Sequence, residues 1–136
     1  MKNPKTAMKM VTIVSFGLSL LLVGVAHYMT IGDFVMMVSD SLGPLSMLGT
    51  IWAYILPGLM IVGGALFVVG MYKHIAAWCS GIALGSIPVG MLLKPVLGNA
   101  GLGEVMPFAI NAFVWLLVYV FVVKMCCCCG GSCEKK

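Results

Sequence analysis

The sequence predicts an all-α fold, a polytopic transmembrane four-helix bundle with both termini in the cytoplasm. Three observations carry that expectation. First, 62% of the 136 residues are hydrophobic and only 9% are charged, with a mean hydropathy of +1.13. A soluble domain keeps about 25% charged residues to wet its surface. Second, four stretches approach the length of roughly 20 apolar residues that crosses a hydrocarbon core. Third, the lysines fall almost entirely on one side of those stretches, which sets orientation.

The first span is Met10–Met29, preceded by "MKNPKTAMKM". Its apolar run is long enough to cross, and "AHYMT" makes a poor cleavage site, so a retained helix is expected rather than a cleaved signal. The following connection, "TIGDFVMMVSDSLGPLSMLGT", is punctuated by Gly and Pro. Within it Phe34, Met37, Val38 and Ser41 share one side of a helical pattern, with Asp33 placed as a cap. A short helix in the membrane interface and an ordinary loop with apolar contacts both remain open. Ile51–Met71 and Ile75–Leu93 form the second and third spans, and the short "YKH" between them makes the two antiparallel neighbours. The last connection is "KPVLGNAGLG", before the fourth span, Val105–Val123. The chain thus divides into a cytoplasmic segment 1–9, a helical domain 10–124 and a Cys-rich cytoplasmic tail 125–136.

Lys2, Lys5, Lys9, Lys73, Lys124, Lys135 and Lys136 all fall on one side of a four-span chain, and Lys94 alone on the other, with Asp33, Asp40 and Glu104. Cytoplasmic loops carry the lysine excess. The placement therefore reads the +4 net charge as topology. It lacks the basic stripe with interleaved exposed aromatics that a nucleic-acid partner would need.

Membrane helices associate through close backbone approach at small residues. Ala77, Gly81 and Gly85 recur every four residues in the third span, which marks that helix as central; the second carries Gly63, Gly64 and Gly70, and the first Ser15, Ser19 and Gly24. Pro57 and Pro88 bend their helices by removing a backbone donor. They are expected to serve packing, with a small cavity between the bends as the alternative.

No span has an Asp, Glu or Lys near its midpoint, which disfavours a proton pump or an ion-coupled transporter. No catalytic constellation is visible, so an enzyme is not expected. His27, at the end of the first span, is the candidate for a quinone head group or a haem iron, against the plainer role of a hydrogen-bonded interfacial residue. Trp52, Tyr54, Tyr72, Trp78, Trp115 and Tyr119 lie mostly toward span ends and read as interfacial anchors. The twelve methionines are dispersed and read as packing. Lys94 and Glu104 mark helix ends, Asn111 lies inside the fourth span, and Cys79 is a small packing residue.

The tail "KMCCCCGGSCEKK" sets five cysteines within eight residues. In the reducing cytoplasm a disulfide knot is disfavoured. Cys126, Cys129 and Cys133 have the spacing to converge on a soft metal ion, and cysteines abutting a membrane helix also suit S-acylation in a eukaryote. A passive tail is the third reading. In each case the helices end near Val123 and the tail is not needed for folding.

"SFGLSLLLVGVAHY", Ser15 to Tyr28, and "GGALFVVGMYKHIAAW", Gly63 to Trp78, resemble the first helix and the second-to-third-helix junction of the DoxX-like family. That resemblance covers about three quarters of the chain. It implies a four-helix bundle acting as an accessory membrane subunit, redox-linked and near quinone, with a membrane or cytoplasmic redox partner. In a bacterium it would sit in the plasma membrane. The chain departs from the family pattern at Pro57 and in lacking an acidic residue in the second helix, where many relatives carry glutamate. The other expectation is a structural protein whose Gly-lined helices assemble into a homo-oligomer within the lipid bilayer.

The lysine distribution yields a direct test of orientation. An impermeant thiol reagent applied to intact cells should leave Cys133 unlabelled until the membrane is permeabilised.

Overall fold

Pro4 opens α1 (Pro4–Met29), six residues before the expected span. Proline suits the first helical position, where its missing N–H is unneeded and its φ is already helical. A computed structural model of the chain describes residues 4–40, 42–98 and 100–128, and every regular element among them is helical. Four of these helices are long and apolar enough to cross a membrane.

The first connection is mostly helical. A single residue, Thr30, separates α1 from α2 (Ile31–Ser39). The short-helix reading of this segment therefore holds, but Asp33 is not its cap. Thr30 takes the cap position, its carbonyl accepts from Phe34 N–H, and its hydroxyl turns back to donate to Ala26 O. Asp33 lies inside the first turn, where a carboxylate favours the helix dipole without capping. Of the expected apolar side, Phe34 is buried, Val38 half-buried and Met37 exposed, while Ser41 lies outside the described residues.

A 3₁₀ turn, Gly43–Leu45, leads into α3 (Ser46–Val69), which starts five residues before the expected Ile51. Gly70, at φ +75°, ends α3 in the left-handed conformation that glycine adopts without strain, and its N–H closes onto Leu66 O. The hairpin passes through Tyr72 into α4 (Lys73–Leu97). This helix carries both Pro88 and Pro95, so the first part of the expected "KPVLGNAGLG" loop is helix and Lys94 belongs to its last turn. The last helix, α5 (Leu102–Cys128), runs five residues past the expected end at Val123. Its final turns include Cys126, which is 6% exposed and packs with Val122 in the core. The helix therefore continues past Met125, and the first cysteine of the expected tail is buried. The residues from Cys129 onward lie outside the described residues.

The central helix is α3, not α4. It packs against α1, α2 and α4, whereas α4 packs against α3 and α5, and α5 touches α1 only lightly. The expected stripe on α4 does little of this. Gly81 receives Tyr119, but a Cβ at Gly85 would meet nothing within 4 Å. The close approaches are made by consecutive residues of α3. A Cβ on Gly64 would lie 2.5 Å from Gly17 O in α1, and one on Gly63 would lie 2.3 Å from Ser80 Oγ in α4. A second α1–α3 approach joins Gly24 to Pro57 O and Ile61. These pairings run in opposite sequence directions, so α1 and α3 are antiparallel.

Aromatic rings fill the bundle at the end that holds the α3–α4 turn. Phe16 of α1 meets Phe67 of α3 edge-on at 5.7 Å and tilts toward Trp115 and Tyr119 of α5 at 6.3 and 6.5 Å. The Tyr119 hydroxyl donates to Ala77 O at 2.8 Å, tying α5 to α4. At the other end, Tyr28 donates to Tyr54 O at 2.8 Å, in the turn loosened by Pro57.

Glycine substitution separates these contacts by thermal unfolding in detergent. Gly64→Ala should lose about 1–3 kcal/mol to overpacking against the α1 backbone. Gly85→Ala, with open space around it, should be neutral or gain up to about 1 kcal/mol from helix propensity.

Candidate functional site

A chamber of about 600 Å³ occupies the α2 end of the bundle. Its walls come from all five helices, and its floor is Trp115, at the edge of the aromatic cluster. Most of the lining is aliphatic: Leu20 from α1, Leu56 and Met60 from α3, Leu84 and Ile87 from α4. Leu56 precedes Pro57 and Ile87 precedes Pro88, so the chamber lies beside both proline-bearing turns. Pro57 and Pro88 are themselves buried, as packing residues would be, and the cavity lies beside them.

Five polar side chains reach the chamber: His27, Trp52, Ser86, Lys94 and Asn111. His27 stands in the last turn of α1, half-buried. Its Nδ1 donates to Val23 O at 2.6 Å, since a carbonyl can only accept, and this leaves Nε2 as the ring nitrogen not engaged with the backbone. Phe34 of α2 meets the imidazole edge-on at 4.3 Å, with the rings 79° apart. On the opposite wall Trp52 Nε1 donates to Ser86 Oγ at 3.1 Å, and Ser86 in turn donates to Ala83 O at 2.9 Å. Trp52 therefore acts as a wall residue bridging α3 and α4, beyond the anchoring role expected of it. Lys94 is buried at the rim, where its Nζ donates to Met37 O of α2. Asn111 of α5 is exposed and borders the same space.

Of the expected site residues, His27 is placed on the chamber. Cys126 is far along α5, buried in its last turns, and Cys129 and Cys133 lie outside the described residues. Among the described residues, no three His, Cys, Asp or Glu side chains gather as a metal site. Ser86 and the chamber role of Lys94 escaped sequence reasoning. The signal was present: Ser86, Gly90 and Lys94 recur at every fourth position, forming a polar and small stripe on α4. A second groove of about 390 Å³ runs between α1 and α5 past Thr12, Ser15 and Ser19. Thr12 and Ser19 bond within their own helix, to Met8 O and Ser15 O, so this groove offers little polar chemistry.

Comparison with protein-family models, with curated proteins and with solved structures gave no match to this chain. The site must be read from its own chemistry. An apolar chamber with a few convergent polar groups at one end suits a small amphiphilic molecule rather than a hydrated ion.

Ser86→Ala should cost about 1–3 kcal/mol in detergent melting, because it leaves the Trp52 indole N–H without its acceptor. Ser86→Thr, which restores a hydroxyl, should recover much of that loss.

Proposed function

We propose that this chain is a non-catalytic, multi-pass membrane subunit that holds a lipid-phase amphiphile in the chamber at the α2 end. One observation carries the reading: a space of about 600 Å³ with aliphatic walls and its charged group at the rim. Ligand pockets of about 300–1,000 Å³ with mostly apolar walls and few polar groups are the usual form of small-molecule sites. With both termini in the cytoplasm, as the lysine distribution argues, the chamber faces the outer leaflet. The DoxX-like resemblance implies a quinone as occupant and a redox-linked assembly as the setting. His27 and Asn111 are the side chains available to a quinone carbonyl.

Organic extraction of the protein purified in mild detergent, followed by mass spectrometry, tests this. Wild type should carry a near-stoichiometric amphiphile. Gly90→Leu should lose it without a lower melting temperature, because Gly90 lines the chamber and a Cβ there meets nothing within 4 Å. A homogeneous homo-oligomer without such a ligand would favour the structural, self-assembling role instead.

A further inference from the structure

We propose that Lys94 is the anchor for an anionic head group, and that the chamber takes a single-chain carboxylate amphiphile of the fatty-acid type. This narrows the amphiphile reading above and rests on it. Lys94 stands in the last turn of α4 with only 8% of its surface exposed. Its Nζ donates to one backbone carbonyl, Met37 O. Among the described residues it makes no ion pair with Asp33, Asp40 or Glu104. An ammonium has three N–H donors and no acceptor, so one neutral carbonyl leaves both its charge and most of its donors uncompensated.

A buried charge without a counter-charge is costly in a membrane-embedded site. Among the described residues no Asp or Glu lines the chamber, so their side chains present a single sign of charge to its interior. A carboxylate supplies the missing charge and two acceptor oxygens, in charge-assisted bonds stronger than those of a neutral head. A quinone brings acceptors but no charge, and so leaves the Lys94 ammonium uncompensated. The walls suit the rest of such a molecule: Leu20, Leu56, Met60 and Leu84 lead from the rim toward Trp115. A volume of about 600 Å³ accommodates one hydrocarbon chain.

The test uses the full chain, delipidated in mild detergent, with cis-parinaric acid and its methyl ester as probes. The acid should bind at least about tenfold more tightly than the ester, the scale of one charge-assisted hydrogen bond. Lys94→Gln should weaken the acid by a similar factor and leave the ester unchanged, while Lys94→Arg keeps the preference. Equal binding of acid and ester by wild type, or an unaltered acid affinity in Lys94→Gln, would overturn the proposal. If Lys94→Gln does not fold, the wild-type ratio of acid to ester decides alone. Tight binding of the ester and of a short-chain quinone would remove the carboxylate assignment and keep the amphiphile reading. Failure of acid, ester and quinone to bind would remove both.

Discussion

Two consecutive glycines in α3 hold the helices of this bundle together. Successive residues on an α-helix point about 100° apart, so Gly63 and Gly64 face different neighbours. Gly64 admits the backbone of α1 at Gly17, and Gly63 admits Ser80 of α4. Without water to drive apolar surfaces together, van der Waals contact at such points is a main source of helix association in lipid. A side chain at either position would push one partner away and open the core. The dipeptide "GG" thus makes α3 the shared wall for both sides of the bundle.

That wall is filled unequally along its length. Next to the glycines, Phe16, Phe67, Trp115 and Tyr119 occupy the interior with rings in edge-on or tilted contact. Beyond them the lining is mostly aliphatic, with Phe34, Trp52 and Phe108 among it, and a space of about 600 Å³ is left unfilled. The chamber is the remainder. Its rim is closed by α2, held through Phe34 against His27 and through Met37 O against Lys94. Both contacts tie the short helix to polar side chains that also border the chamber, so whatever occupies the space meets α2 as well.

The polar groups of the chamber differ in how much they are already used. Trp52 and Ser86 form a chain ending on a backbone carbonyl, and His27 is held through Nδ1. Those bonds orient the walls. Lys94 differs, because its charge finds only a neutral carbonyl. In a membrane-embedded site, such a residue is expected to mark function. The physical distinction between a wall and a recognition element therefore falls on α4, between Ser86 and Lys94, two turns apart.

Much of this was legible from residues alone. The four apolar stretches determined four membrane-length helices, because their hydrophobic length has no other use in a chain so poor in charge. "YKH" determined that α3 and α4 are antiparallel. The sequence did not reveal which glycines matter most, for Gly81 and Gly85 form the more regular stripe, yet Gly85 has no neighbour within 4 Å while Gly63 and Gly64 each meet another helix. Nor did it reveal that Cys126 is buried. The chamber, and the gathering of His27, Trp52, Ser86 and Lys94 around it, was decided by tertiary structure alone. These residues lie on three different helices, and what they share is an unfilled space between helices, which no single helix's pattern encodes.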